Sequence, residues 1–166
     1  MSKDASDADL HALAEQVGAA ARRHHHRLVT AESCTGGWIA KTLTDVAGAS
    51  EWFESGMAAY SYEAKQALLG VQPLTLETYG AVSRETVIEM VSGALVHSGA
   101  SLAVAVTGIA GPDGGTEDKP VGTVWIAWKC RGGYPTAVVF HFDGDREAVR
   151  RQTVAAALHG LLELAG

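Results

Sequence analysis

Apolar residues recur three and four positions apart along three stretches of the chain, which is the spacing of an amphipathic helix. The first stretch runs from Ser6 to about Arg23, the second follows Ser83, and the third starts at about Asp145. Ser6 or Asp7 is able to cap the N-terminus of the first helix, and Ser83 that of the second. The pattern therefore predicts three helices that each bury one face. The apolar positions are Leu10, Leu13, Ala14, Val17 and Ala21, then Val87, Met90, Val91 and Leu95, then Val149, Val154, Leu158, Leu161 and Leu162.

Shorter apolar segments between these helices indicate β-strands. "RLVTAE" and the extended run Phe53–Ser61 come first, and the continuously apolar "SLAVAVTG" is typical of a central strand that is covered on both faces. "TVWIAWKC" and "YPTAVVFHF" flank a Gly-Gly turn and predict a hairpin. Two shorter helices are predicted, from about Gly37 to just before Gly48 and in "YEAKQALLG", which ends at Gly70. The order predicts the α/β class: a single domain over residues 1–166, built as a three-layer α/β/α sandwich with a mixed sheet.

Composition and net charge argue against nucleic acids and membranes as binding partners. The 166 residues are 47% hydrophobic and 19% charged, which suits one folded domain. The formal net charge of -6 would repel a phosphate backbone, so no stable nucleic-acid binding is expected. No apolar run reaches the ~20 residues that cross a bilayer, and the polar start lacks the apolar core of a signal peptide. We therefore expect a cytoplasmic protein with no membrane partner.

Cysteine and histidine usage gives little support to a metal site. Cys34 and Cys130 lie far apart in the sequence, which suggests neither a disulfide nor a paired-thiol site. His24, His25 and His26 are consecutive, so on a helix they would point in three directions. The chain also lacks the G-x-G-x-x-G, phosphate-loop and G-x-S-x-G motifs. No metal is expected.

The stretch "TAESCTGG", Thr30 to Gly37, lies where a predicted strand meets a predicted helix. Three interpretations stay open: Ser33 is an N-cap that contributes about 1 kcal/mol, it is a nucleophile, or the stretch is an anion-binding turn. Gly36 and Gly37 permit a close approach of the backbone. Unpaired N–H groups at a helix start are able to bind an oxyanion or a phosphate.

A serine nucleophile needs a base, and Lys65 is the candidate. Its ordinary pKa of ~10.4 would have to fall towards ~7 to 8 through burial or a nearby positive charge. An exposed lysine on a short helix is the alternative interpretation. The chain offers no histidine in a comparable loop, and the later histidines, which are more commonly structural at such positions, are His97, His141 and His159.

Two further side chains near this junction are candidates for chemistry. The hydroxyl of Tyr60 would relay a proton or orient the amine of Lys65, whereas a half-buried aromatic residue is the alternative. Cys34 is a rival nucleophile that requires a lowered pKa. It ranks second because its side chain should point away from that of Ser33.

Five ordered segments resemble the CinA C-terminal domain family: "TAESCTGGWIAKTLTDVAGAS", "AAYSYEAKQALLGV", "YGAVSRETV", "VTGIAGPDGGTEDKPVGTVWIAW" and "FDGDREAVRRQTVAAAL". The resemblance runs, with gaps, from about Thr30 to Leu158. It implies an α/β/α sandwich and a homo-oligomer such as a dimer. It also implies a nicotinamide-nucleotide amidohydrolase, which converts nicotinamide mononucleotide to nicotinic acid mononucleotide and ammonia without a cofactor. Because some members lack amidase activity, a catalytically silent nucleotide-binding or interaction module linked to competence or DNA damage is the alternative.

The resemblance also implies roles for individual residues. Ser33 is the expected nucleophile, Lys65 assists it, and Tyr60 occupies the family's tyrosine position. Tyr62 stands where the family often has asparagine, so its ring would alter specificity if it touches substrate.

The loops themselves, apart from the resemblance, suggest where the substrate binds. Backbone N–H groups from Ser33 to Gly37, and in the Thr107-Gly108 turn, are expected to stabilise the oxyanion. Lys119 or Arg146 is expected to pair with the phosphate. A proline-stiffened surface loop, with Arg146 as an ordinary first-turn residue, is an equal alternative for the phosphate contacts. The expected substrate-binding residues are Thr35, Gly36, Gly37, Thr107, Gly108, Gly111, Lys119 and Arg146.

Overall fold

The strands of the computed structural model, which describes residues 5–166, form one five-stranded mixed sheet. They are β1 (Leu28–Glu32), β2 (Phe53–Ala58), β3 (Leu102–Gly108), β4 (Thr123–Cys130) and β5 (Thr136–His141). Their order in the sheet is β2-β1-β3-β4-β5. β1 is parallel to both neighbours, and the pairs β3–β4 and β4–β5 are antiparallel. The predicted mixed sheet and hairpin are confirmed, although β2 is shorter than the extended run expected there.

Six α-helices within residues 5–166 surround the sheet. They are α1 (Asp7–Arg23), α2 (Trp38–Thr44), α3 (Tyr62–Leu69), α4 (Pro73–Tyr79), α5 (Arg84–Val96) and α6 (Arg146–Ala165), with a short 3-10 turn at Ala49–Glu51. The side chains of Ser6 and Ser83 cap α1 and α5, as their positions predicted, and the side chain of Asp145 caps α6. α2 ends earlier than expected. The sequence pattern missed α4, because this helix has seven residues and a single buried side chain, that of Leu76, and so shows no period.

The helices lie in two layers, which confirms the α/β/α sandwich. α1, α2 and α6 pack on one face of the sheet, and α3, α4 and α5 pack on the other. The central strand β3 places Leu102, Val104 and Val106 in the first layer's core. It places only alanines, Ala103 and Ala105, in the second. These small side chains leave room for α5 to lie close to the sheet.

The three parallel strands end at the same edge of the sheet. Glu32 at the end of β1 is in register with Ala58 of β2 and with Val106 of β3. The chain leaves β1 into α2 on one face and leaves β2 into α3 on the opposite face. In α/β sheets, a crevice suited to ligands opens where successive connections go to opposite faces. The residues that follow these strands therefore converge there.

A close contact between two helices fixes the position of α3. A Cβ atom at Gly93 in α5 would lie 1.8 Å from the carbonyl oxygen of Leu69, the last residue of α3. Only glycine permits this approach. The contact seats α3 against α5, and α3 carries Lys65.

Candidate active site

Ser33 lies immediately after β1, in the crevice at the carboxyl edge of the sheet. Its backbone N–H donates to the carbonyl of Val106 at 3.1 Å, which continues the β1–β3 pairing by one residue. The chain then turns through Gly36 and Gly37, whose φ angles of 60° and 102° lie in the left-handed region. Glycine adopts this region without the strain that a Cβ atom brings. The turn separates Ser33 from α2, and Gly37 occupies the N-cap position of that helix.

Lys65 reaches Ser33 from the opposite layer. Ser61 caps α3 by accepting from the N–H of Ala64, and this start directs Lys65 inward, where it is 1% exposed. The Lys65 Nζ lies 2.8 Å from the Ser33 Oγ. It also donates to the backbone carbonyls of Ala59 at 3.1 Å and of Tyr60 at 2.9 Å. The structure therefore brings together the two residues that the sequence singled out as nucleophile and base.

The surroundings of Lys65 favour an uncharged amine. Burial lowers its pKa from the ordinary value of 10.5 to about 8, and the neighbouring Cys34 opposes this only in part. Within residues 5–166, no carboxylate forms an ion pair with its amine. A neutral amine has two N–H groups and one lone pair. In the neutral form, in which two carbonyls accept from the N–H groups, the lone pair is left to accept from the hydroxyl of Ser33.

Glu32 is one of two residues at this site that the sequence analysis missed. Its carboxylate is 1% exposed. It accepts from the hydroxyl of Thr35 at 2.6 Å and from the backbone N–H groups of Ile39 at 2.8 Å and Ala40 at 3.0 Å. Glu32 therefore caps α2, and the N-cap interpretation of Ser33 is wrong. The available sequence signal was its place at the end of the predicted strand "RLVTAE". All five residues of β1 are buried, so an acid at this position needs internal partners.

The expectation that the start of α2 offers several free N–H groups to an anion is wrong, because Glu32 caps this helix. The N–H groups of Ile39 and Ala40 are occupied by the Glu32 carboxylate, so neither is free for an oxyanion or a phosphate. Among the residues that the structure describes, the N–H groups of Thr35 and Gly37 have no hydrogen-bond partner. The donors left in the turn belong to the loop itself rather than to the helix.

Tyr60 contacts the amine of Lys65 through its backbone and not through its side chain. The carbonyl of Tyr60 accepts from the lysine, whereas its hydroxyl accepts from a guanidinium N–H of Arg146 at 3.2 Å. The side chain is 61% exposed. The expected contact between the phenol and the amine is therefore absent, and the ring lies at the mouth of the site.

Two arginines of α6 border the Ser33 turn. Arg146 donates to the carbonyl of Gly111 at 2.8 Å, in addition to its contact with Tyr60. Gly111 belongs to the glycine-rich loop that joins β3 to β4, residues 109–122. Arg150, which the sequence analysis did not single out, donates to the carbonyls of Cys34 at 3.0 Å and Thr35 at 3.1 Å. Neither forms an ion pair with a carboxylate within the described part of the chain. Both therefore keep an unneutralised positive charge beside the site.

The other predicted binding residues have the following contacts. The Thr107 hydroxyl, at the end of β3, donates to the carbonyl of Ala81 at 2.9 Å, and Gly108 ends the strand. The Thr35 hydroxyl is occupied by Glu32. The Lys119 amine donates to the carbonyl of Tyr79 at 2.8 Å, at the end of α4. Lys119 and Thr107 thus tie the glycine-rich loop and β3 to the segment between α4 and α5.

Cys34, the rival nucleophile, has a thiol that stays protonated. It is 5% exposed, and burial raises its pKa to about 12. A thiol needs its thiolate form to attack. Ser33 with its amine partner is the better candidate.

No other chemistry is apparent elsewhere in residues 5–166. In this range, no three side chains of His, Cys, Asp and Glu come together as a possible metal site. Of the three consecutive histidines, His26 contacts the hydroxyl of Ser101 at 3.0 Å. No helix in the same range is long and apolar enough to cross a bilayer.

The fold and the site define an α/β/α protein with a buried serine–lysine pair at the carboxyl edge of its parallel strands. The chain belongs to the CinA C-terminal domain family, which matches residues 10–165. The family resemblance seen in the sequence is confirmed, and the match extends beyond both ends of the segments that indicated it.

Relatives that match this chain over nearly their whole length are named for a single activity. The nicotinamide-nucleotide amidohydrolase PncC of Escherichia coli (strain K12) is 52% identical over 156 residues, which cover 94% of each chain. Its namesake from Pseudomonas putida is 55% identical over 152 residues, 92% of this chain and 94% of that one. Among solved structures, the competence/damage inducible protein CihA from Agrobacterium tumefaciens has a TM-score of 0.93 and 43% identity, and the match covers 100% of both chains.

Proposed function

We propose that this protein is an amidohydrolase that converts nicotinamide mononucleotide to nicotinic acid mononucleotide and ammonia. One observation carries the proposal: the amine of Lys65, buried and without a carboxylate partner, lies 2.8 Å from the hydroxyl of Ser33. A lysine with a lowered pKa beside a serine is an arrangement that is able to activate the serine for acyl transfer. The named activity of relatives that are half identical over nearly the whole chain supports this choice of substrate.

The reaction begins with neutral Lys65. Its lone pair takes the proton of the Ser33 hydroxyl as the serine oxygen attacks the carboxamide carbon. The C–O bond forms, and the carbonyl electrons move onto oxygen as an oxyanion. When the oxyanion collapses, the C–N bond breaks and the lysine ammonium gives its proton to the departing nitrogen, which leaves as ammonia.

Water completes the cycle. Lys65, neutral again, removes a proton from water, whose oxygen attacks the acyl carbon. The bond between that carbon and the Ser33 oxygen breaks, and the serine regains its proton from the lysine. Backbone N–H groups of the turn are proposed to stabilise both oxyanions. One such donor contributes roughly 3 to 4 kcal/mol in studied enzymes.

The substrate phosphate is proposed to bind at Arg146, with Arg150 contributing charge. Both guanidinium groups keep their charge beside the site, and Arg146 already bridges the glycine-rich loop and Tyr60 across its mouth. A dianionic phosphate offers Arg146 stronger acceptors than a carbonyl and a phenol. The local positive charge would attract the nucleotide even though the chain carries a formal net charge of -6.

Ammonia release from nicotinamide mononucleotide tests the proposal in four proteins: the wild type, Ser33→Ala, Lys65→Ala and Lys41→Ala. The exposed Lys41 pairs with Asp45, so it is a matched control for loss of a lysine. We expect release by the wild type and Lys41→Ala, and losses on the order of 10⁴-fold or more in the other two. Equal release by all four would exclude the serine–lysine mechanism.

A wild type that binds the nucleotide without releasing ammonia would favour the alternative, a silent binding or interaction module. The longer CinA-like protein of Akkermansia muciniphila is 53% identical over 137 residues, which make up 33% of its length. The family domain therefore also occurs within larger proteins. The expected homo-oligomer remains a prediction, and sedimentation of the purified chain would test it.

A further inference from the structure

Glu32 connects the two halves of the catalytic pair. Its backbone carbonyl accepts from the N–H of Ala59 at 2.9 Å, and the carbonyl of Ala59 in turn accepts from Lys65. Its side chain turns to the other layer, where it binds Thr35 and the start of α2. The backbone of Glu32 is thus linked to the lysine, and its carboxylate is linked to the turn that follows the serine.

The carboxylate replaces a cap that the turn itself lacks. Gly37 occupies the N-cap position of α2 and has no side chain with which to accept a hydrogen bond. Without Glu32, the N–H groups of Ile39 and Ala40 and the hydroxyl of Thr35 would have no acceptor. A buried donor without a partner costs roughly 1 to 3 kcal/mol, so the turn would shift to find other acceptors.

Arg150 holds the same turn from the opposite side. It binds the carbonyls of Cys34 and Thr35, while Glu32 binds the Thr35 hydroxyl. Residue 35 is therefore clamped between a cation on its carbonyl and an anion on its hydroxyl. The clamp defines where the free N–H groups of the turn lie relative to the Ser33 hydroxyl.

We propose that Glu32 is a positioning residue: its buried carboxylate holds the turn from Thr35 to Ala40 so that the Ser33 oxygen and the oxyanion donors face one point. The inference rests on the proposed function for the reaction, but the geometry that Glu32 enforces concerns the reactivity of Ser33 toward any electrophile. Its side chain makes no contact with Lys65, whose anchors are backbone carbonyls. Glu32 therefore controls how fast Ser33 reacts and not at which pH.

Glu32→Gln is the main variant, because it keeps the shape and removes one acceptor oxygen. A misplacement near 1 Å costs up to about 100-fold in rate, so we expect kcat to fall by about 10- to 100-fold with KM little changed. The pH midpoint of the rate should stay at its wild-type value. Ser6→Ala, which removes the cap of α1, is the control for an ordinary loss of helix capping and should keep wild-type kcat.

A second readout separates this inference from the choice of substrate. A fluorophosphonate probe labels an activated serine without any carboxamide, and intact-mass measurement gives the labelling rate of Ser33. We expect Glu32→Gln to lower this rate by about the same factor as kcat. If the wild type is labelled but releases no ammonia, the proposed substrate is wrong, and the labelling rates still decide the role of Glu32.

Several results would overturn the proposal: wild-type labelling by folded Glu32→Gln, an equal loss in Ser6→Ala, a shifted pH midpoint, or no labelling of the wild type. If Glu32→Gln does not fold, Thr35→Val serves instead. It deletes one of the three hydrogen bonds to the carboxylate at nearly constant volume. We expect a loss of about 10-fold in labelling rate for Thr35→Val, and wild-type labelling by this variant would contradict the positioning role.

Discussion

The amine of Lys65 lies 2.8 Å from the hydroxyl oxygen of Ser33, although 32 positions separate the two residues in the chain. Three features produce this contact. β1 and β2 end at the same edge of the sheet, α3 is seated on α5 through Gly93, and the carbonyls of Ala59 and Tyr60 hold the amine. The contact and the burial together are the basis of the proposed activation of Ser33 by Lys65.

The rate of ammonia release should rise with pH as Lys65 loses its proton. Burial sets the pKa of this amine at about 8, and only the neutral form accepts the proton of Ser33. We expect kcat/KM to increase through that pKa and to level above it, with the same midpoint in the control Lys41→Ala. A flat profile between about pH 6 and 9 would argue against a titrating lysine.

Because of Lys65, the free energy of unfolding should depend on pH and should increase as the pH rises. The pKa of this amine is about 8 in the folded protein and 10.5 ordinarily, so the unfolded chain binds more protons between these values. Below pH 8 the folded state bears the full cost of the buried amine, on the order of 3 kcal/mol, and this cost disappears as the pH rises towards 10.5.

The comparison of wild type with Lys65→Met by denaturant unfolding isolates this effect, because the other titrating groups are common to both proteins. We expect the wild type to gain stability relative to the variant by up to about 3 kcal/mol from pH 7 to 10. The exposed-site control Lys41→Met should show no such slope. A difference between wild type and Lys65→Met that stays constant over this range would mean that the amine is not buried as described.

Cys34 should be inert in the folded protein. Burial raises its pKa to about 12 and leaves it 5% exposed, so alkylation by iodoacetamide at pH 8 should require unfolding. We expect Cys34→Ala to retain most of the amidase activity. A loss as large as that of Ser33→Ala would reassign the nucleophile to Cys34.

Arg146→Met should weaken binding of the nucleotide more than it slows the reaction. Loss of a charge-assisted hydrogen bond costs about 1.5 to 3 kcal/mol, which predicts a rise in KM of about 10- to 100-fold. Nicotinamide riboside, which lacks the phosphate, should be hydrolysed by the variant as it is by the wild type. The matched control is Arg151→Met, since that guanidinium is already neutralised by Asp7 and Glu147. Equal effects of Arg146→Met on the two substrates would show that Arg146 does not bind the phosphate.

The sequence was sufficient for the long helices, their caps and the central strand, because these depend on local spacing. In α1, Leu10, Leu13 and Val17 lie three and four positions apart, and this spacing alone predicts which face of the helix is buried. The short α4 was missed for the same reason, since seven residues with one buried side chain carry no period. The sequence also offered Ser33 and Lys65 as candidates for nucleophile and base, and the family segments supported these roles over the alternatives.

Only the tertiary structure decided how these residues meet. Spacing along the chain does not predict that Glu32, rather than Ser33, caps α2. It also does not predict that Lys65 donates to the carbonyl of Tyr60 while Arg146 donates to its hydroxyl. These outcomes depend on which groups become buried together when strands from distant parts of the chain pair. Burial is also what lowers the pKa of Lys65, and it is a property of the packed layers and not of any local stretch of sequence.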